Sequence, residues 1–127
     1  MALNKTPDQY DLFRSGEEHD KRVFIKVDEK MTNASTYTIL KEDHTLGNLL
    51  RMQLHKDKNV LFAGYRVPHP LKHQFDLQLR TNGRVAPNTA LKFAIRDLRR
   101  EFDTIRDKLK EEVNRQQNPD NQMFLDM

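Results

Sequence analysis

The chain has 127 residues, a formal net charge of +3 at pH 7 and no cysteine, so disulfides, thiolate metal sites and cysteine nucleophiles are excluded. Hydrophobic residues make up 36% of the chain and charged residues 32%, which predicts a thin core for one globular domain. Either much of the chain is an unfolded tail, or another molecule completes the folded part. No apolar stretch approaches the ~20 residues that cross a bilayer, so we expect a soluble, intracellular protein without membrane contact.

The first third of the chain predicts a loose arm followed by a hairpin. Residues 1–20 are polar, apart from a short apolar group around Tyr10. Residues 22–27 alternate in polarity, which predicts a half-buried strand. A turn over 28–33 and a β-rich run over 35–41 complete a hairpin. The predicted buried face of the first strand consists of Val23, Ile25 and Val27.

The middle of the chain predicts a helix and then a strand. Leucines at i, i+3 and i+4 spacing indicate a helix over 45–57. Asp43 or Thr45 can cap its first turn. The strand that follows, over 60–67, ends at Pro68, because proline cannot donate to a central ladder.

The last third predicts the clearest strand and a long helix. Residues 72–81 alternate strictly, an Asn-Gly turn follows, and a helix spans 87–116. The predicted fold is an α+β, two-layer β-β-α-β-β-α domain, with two helices on one face of a mostly antiparallel sheet. The predicted divisions are an arm over 1–20, a domain over 21–117 and a polar tail over 118–127.

The last helix carries an apolar seam that is longer than the sheet. The seam residues recur at alternating steps of four and three, as in a heptad: Leu91, Ile95, Leu98, Phe102, Ile105, Leu109 and Val113. A helix of this length extends about 42 Å, whereas strands of about seven residues cover only about 23 Å. The second half of the seam therefore overhangs the sheet. Either the N-terminal arm folds over it or a partner's helix packs there, and we favour the partner.

Candidate catalytic and metal-binding residues are few. His69 and His73 are four apart, but Pro70 lies between them, so no helix places both on one face for zinc. Asp43 and His44 are adjacent at a helix start, where a hydrogen-bonded histidine is expected more often than a catalytic pair. We predict no metal site and no cofactor.

Two further patterns favour packing over ligand binding. Gly47 near the helix start lacks the glycine-rich loop and lysine of a phosphate-binding site, so we expect it to admit a neighbouring backbone or side chain. Phe62 and Tyr65 suggest a base-stacking strand, but a spacing of three sends them to opposite faces. Direct RNA binding is therefore disfavoured.

One segment carries a family likeness. Lys41-Glu42-Asp43-His44-Thr45-Leu46-Gly47-Asn48-Leu49-Leu50-Arg51 resembles the signature segment of the small α-like subunits of RNA polymerases. It is also similar to the first-helix segment of the bacterial α N-terminal domain. The strand and turn over 60–71 match the same family, and the likeness spans residues 8–115. The arm around residues 10–17 looks most like the RNA polymerase II branch, rather than the paralogue shared by polymerases I and III.

The resemblance implies a non-catalytic, nuclear assembly subunit. It implies a heterodimer with the larger α-like (third) subunit, on which the second-largest subunit and the rest of RNA polymerase II assemble. No sequence-specific nucleic-acid contact is implied. The implied dimer interface comprises the seam residues together with Leu49 and Leu50. The implied assembly motif comprises Glu42, Asp43, His44, Thr45, Leu46, Gly47, Asn48 and Arg51.

The chain departs from the bacterial pattern at one position, and two other functions stay open as alternatives. Bacterial α has two adjacent basic residues where this chain has Arg51 and then Met52, so that contact carries over only at Arg51. A pterin-carbinolamine-dehydratase-like enzyme has the same element order, but His69 lies between two prolines and the chain has no tryptophan. The second rival is a small RNA-binding module.

Overall fold

The structure is a computed structural model, and it describes residues 22–118. The elements follow the predicted order, with every boundary within two residues of its prediction. The strands are β1 (Val23–Val27), β2 (Ala34–Leu40), β3 (Val60–Arg66) and β4 (Gln74–Thr81), and the helices are α1 (His44–His55) and α2 (Pro87–Gln117). The predicted arm over 1–20 and the tail beyond Asn118 lie outside the described residues.

The four strands form one sheet in the order β1-β2-β4-β3, and every neighbouring pair is antiparallel. The predicted hairpin joins β1 to β2. In its turn, the Asp28 carboxylate accepts hydrogen bonds from the backbone N–H groups of Lys30 (2.8 Å) and Met31 (3.3 Å). Asn33 closes the turn with φ 57°, a left-handed conformation that asparagine tolerates better than most residues.

The core lies between one face of the sheet and the two helices. Strand alternation turns Tyr37, Leu77 and Ala63 towards the helices, where they are buried. Helix α1 packs on β3 and β4, and α2 packs on α1 and β4. The buried cluster consists of Tyr37, Ile39, Leu50, Leu54, Ala63, Phe75, Leu77, Leu79, Ala90, Leu91, Ala94 and Leu98.

The first strand differs from its prediction. We expected Val23, Ile25 and Val27 to be half-buried, but all five residues of β1 are exposed. The register places these three side chains on the helix side of the sheet, beside Ile39, Tyr37 and Ser35. The helices lie chiefly over β3 and β4, so they leave the helix-side face of this edge strand uncovered.

One buried hydroxyl ties the start of α2 to the sheet. The Tyr37 hydroxyl donates to the Asn88 side-chain oxygen, and Tyr37 is almost fully buried. Burial disfavours the phenolate, so it raises the pKa of Tyr37 above its ordinary value, although a hydrogen bond with Ser35 acts in the opposite direction.

Tyr37→Phe should lower the free energy of unfolding at neutral pH by about 0.5–1.5 kcal/mol, the usual net contribution of one hydrogen bond. Because the folded-state pKa is raised, the wild-type chain holds this phenol's full contribution below about pH 10 and loses it as the pH rises further. The variant should therefore lose less stability at alkaline pH. Urea unfolding at neutral and alkaline pH checks this, with Asn88→Ala as a control that breaks the bond but keeps the phenol. Equal alkaline sensitivity in Tyr37→Phe and wild type would contradict it.

Candidate dimerisation surface

Helix α2 is covered by its own chain only over its first third. Its buried residues are Ala90, Leu91, Ala94 and Leu98. Every residue from Arg99 to Asn118 is exposed. At 1.5 Å per residue, the part from Arg99 to Gln117 projects about 28 Å beyond the core. The predicted overhang is therefore present, and in the described part of the chain nothing covers it.

The exposed part of α2 continues the apolar face that is buried in the first third of the helix. At about 100° per residue, Phe102, Ile105 and Leu109 lie within about 40° of Leu98 around the helix axis. Leu98 is 8% exposed, whereas Phe102, Ile105 and Leu109 are 51%, 60% and 62% exposed. One apolar face therefore passes from the protein's core into solvent. We call Phe102, Ile105, Leu109 and Val113 the exposed seam.

Polar side chains flank the exposed seam on both sides and pair with one another. Arg106 pairs with Asp103 at 3.5 Å, and Arg115 pairs with Glu112 at 3.2 Å. All four side chains are more than two-fifths exposed, so each pair contributes only a few tenths of a kcal/mol. These pairs support the helix without covering its apolar face, which leaves that face open to a partner.

The predicted interface residues differ in how far they are buried in the structure. Leu50, Leu91 and Leu98 are buried in the chain's own core, so an incoming partner cannot reach them without displacing the core. Leu49 is partly buried against that core. The remaining members are exposed: Ile95, Phe102, Ile105, Leu109 and Val113.

Two exposed apolar residues of the helices were not predicted from the sequence to belong to an interaction surface. Met52 on α1 and Phe93 on α2 are 53% and 40% exposed, and both fall outside the heptad-like spacing. The Arg96 guanidinium lies over the Phe93 ring, 4.8 Å from its centroid, which covers part of that ring. A helical projection that included every apolar residue could have found both.

The start of α1 is built around a close approach to Tyr65. The Asp43 carboxylate accepts from the Thr45 N–H at 2.9 Å, which confirms Asp43 as the N-cap. A Cβ atom built on Gly47 would lie 2.7 Å from Cδ2 of Tyr65. His44 Nδ1 is 2.9 Å from the Tyr65 hydroxyl, and the Tyr65 ring meets Phe75 edge to face. The prediction that Gly47 admits a neighbouring side chain is confirmed.

The rest of the predicted assembly motif lies at or near the surface, except that Leu46 packs against the core. The Arg51 guanidinium donates to the Asn48 side-chain oxygen from Nη2 (2.6 Å) and from Nε (3.2 Å). Asn48 is exposed, and Glu42 and Leu46 are partly buried. The motif thus combines an inner part that positions α1 with an outer Asn48–Arg51 pair at the surface.

The structure also bears on the candidate metal site, the candidate Asp-His pair and the candidate base-stacking strand. Among the described residues, no three His, Asp or Glu side chains are grouped to hold a metal ion. Asp43 caps the helix while His44 turns to Tyr65, so the two do not form a pair. Phe62 lies on the face opposite Tyr65, as predicted. No helix within residues 22–118 is long and apolar enough to cross a membrane.

Comparison with known proteins identifies the surface. Residues 34–108 match the sequence model of the RNA polymerase Rpb3/Rpb11 dimerisation domain. The chain belongs to this family. It is 41% identical over 112 residues to the RNA polymerase II subunit rpb11 of Dictyostelium discoideum, an alignment that covers 88% of this chain and 92% of the relative.

Two further relatives agree with this assignment. A probable RNA polymerase II subunit RPB11 of Caenorhabditis elegans is 53% identical over 79 residues, which cover 62% of this chain and 65% of that protein. The crystal structure of RNA polymerase subunit L from Thermoplasma acidophilum shares the fold with a TM-score of 0.61 at 25% identity, covering 75% of this chain and 93% of the other. The chain is a small α-like polymerase subunit of the RNA polymerase II type.

Gly47→Ala should destabilise the chain even though alanine favours helices by about 1 kcal/mol over glycine. The new methyl group would displace Tyr65, which is held between His44 and Phe75, and overpacking of this kind costs about 1–3 kcal/mol. We expect a net loss of about 1 kcal/mol in chemical denaturation. Asn48→Ala, on the exposed side of the same helix, is the matched control. Stabilisation by Gly47→Ala would show that the Tyr65 contact is not a constraint.

Proposed function

We propose that this chain is a non-catalytic assembly subunit of RNA polymerase II, the counterpart of its eleventh subunit. It heterodimerises with the larger, third α-like subunit, and the dimer is the platform for the second-largest subunit and the rest of the core. We propose a nuclear location, because RNA polymerase II transcribes there. The observation that carries this proposal is the projecting α2, whose apolar face continues beyond its own core.

The size of the exposed seam fits a stable interface. Burying a fully exposed apolar side chain contributes about 1.5–3 kcal/mol. Phe102, Ile105 and Leu109 are each about half buried already, so each would contribute about 1 kcal/mol or more on complete burial. Together these three residues supply enough free energy for about a hundredfold in affinity. A matching helix of an α-like partner presents the geometry that covers such a stripe.

The start of α1 is proposed as the contact for assembly beyond the dimer. Asn48 and Arg51 form an exposed hydrogen-bonded pair, and Asp43 and Gly47 fix the helix that carries them. A guanidinium held by a neighbour is pre-oriented, so less conformational entropy is lost when it binds a carboxylate. We therefore propose that Arg51 faces the second-largest subunit.

The proposed domain boundaries follow the hydrogen-bonded elements. The family match begins at residue 34, but β1 pairs along its whole length with β2. Helix α2 continues to Gln117. We therefore propose a dimerisation domain over 21–117, with an arm over 1–20 and a tail over 118–127.

A triple variant tests the heterodimer: Phe102→Gln, Ile105→Gln and Leu109→Gln. Because these side chains are exposed in the isolated chain, its stability should change by less than about 0.5 kcal/mol per site. Affinity for the larger α-like subunit should fall by more than about a hundredfold. Co-expression, co-purification and titration calorimetry measure this.

The matched control changes three residues on the opposite side of the same helix: Arg100→Gln, Asp107→Asn and Glu111→Gln. The control should bind like the wild type. A seam variant that binds the partner normally would contradict the proposal, as would a control that binds as poorly as the seam variant.

A further inference from the structure

The face of the sheet turned away from the helices is basic. Strand alternation places Arg22, Lys26, Arg66 and Arg80 on this face, with Asp76 among them and Asp28 at its edge, in the turn after β1. Asp76 is already satisfied, because it accepts from the Thr38 hydroxyl at 2.8 Å and pairs with Arg66 at 3.7 Å. The face therefore keeps a surplus of positive charge.

Two of these cations, Arg22 at Nη2 and Arg80 at Nε, have a buried nitrogen with no hydrogen-bond partner among the described residues, and Arg80 is the one that borders a cleft. It lies on the central strand β4, between Ala34 of β2 and Phe62 of β3. Its Nε is buried and has no hydrogen-bond partner within the part of the chain that the structure describes. A buried donor without an acceptor is unfavourable, and an acceptor from another molecule would relieve it.

The side chain of Arg80 borders an open cleft with apolar walls. The cleft has a volume of about 370 Å³, room for roughly a dozen waters or for one acidic side chain with its neighbours. Its lining includes Met31, Ala34, Phe62, Gln78 and Arg80, together with Asp28. The Asp28 carboxylate is already occupied, because it accepts from the two backbone N–H groups of its own turn. Apolar walls around a guanidinium strengthen a charge-assisted hydrogen bond, because they exclude water from it.

We propose that this cleft docks an acidic segment of another polypeptide in the assembled polymerase, with an Asp or Glu carboxylate bound by Arg80. The segment lies extended along the sheet face, and an apolar neighbour of its acidic residue packs against Phe62 and Met31. This surface is on the side of the sheet opposite the helices, so it stays open when α2 engages its partner.

A polypeptide fits this face better than a nucleic acid does. Phe24 and Phe62, exposed aromatic side chains of this face, lie on the two edge strands, so that three strand spacings alone separate them by at least about 14 Å. They cannot form one stacking platform for successive bases.

Site-specific cross-linking in the assembled polymerase tests the proposal. Met31, an exposed residue of the cleft wall, is replaced by p-benzoylphenylalanine, and the cross-linked peptide is identified by mass spectrometry. We expect a peptide of another subunit with an Asp or Glu at the cross-linked position or beside it. Arg80→Gln should lower the yield about tenfold, and Arg84→Gln, on the neighbouring exposed loop, should leave it unchanged.

Changing the identified acidic residue to its amide should lower the yield as much as Arg80→Gln, and combining both changes should lower it no further. Four results would overturn the proposal: a cross-link to this chain's own residues, a cross-link to nucleic acid, a partner peptide without an acidic residue, or a yield insensitive to Arg80→Gln. Heterodimer formation by the Arg80→Gln variant, measured separately, distinguishes failure of this proposal from failure of the proposed function.

A second measurement uses the isolated chain. Arg80→Met removes the unsatisfied donor and keeps most of the packing volume, so it should raise the midpoint of thermal unfolding while abolishing the cross-link. Arg80→Lys keeps the charge and should retain part of the cross-link yield. A lower midpoint for Arg80→Met would show that the guanidinium is satisfied within the chain and would overturn the proposal.

Discussion

The length mismatch between α2 and the sheet is the constraint on which the rest of the structure depends. Strands of five to eight residues can support only the first turns of a helix of 31 residues. Leu98 is the last residue of α2 that the core buries. Beyond it, Phe102 and Leu109 keep the same angular position without cover. Over the described residues, the apolar face of α2 thus continues beyond the chain's own core, and we propose that a partner's helix completes it.

A core shared with a partner would account for the low apolar content of the chain. A domain that shares its core needs fewer apolar residues of its own, and a larger share of them lies on its surface. The exposed β1 strand agrees with this, because Val23, Ile25 and Val27 point to the helix side of the sheet although neither α1 nor α2 covers them. Contiguous exposed apolar surface of this kind is typical of interaction sites.

Much of the fold could be predicted from sequence because its signals are local. Alternation over β4, the leucine spacing of α1 and the Asp43 cap each depend on a few neighbouring residues, and all three proved correct. The exposure of β1 could not be predicted, since it depends on where the helices cross the sheet. The same limit applies to Arg80, whose alternating position looks like an ordinary solvent-facing residue, and to Leu50, whose spacing fits a partner's helix as well as the chain's own core.

Hydrogen–deuterium exchange along α2, in the free chain and in its complex with the larger α-like subunit, tests the shared core most directly. In the free chain, amides from Arg99 to Gln117 should exchange much faster than those from Ala90 to Leu98, because an isolated helix of this length is marginal in water. In the complex, the amides around Phe102, Ile105 and Leu109 should become as protected as those around Leu98. Unchanged exchange of this segment on complex formation would contradict the account, as would full protection of the segment in the free chain.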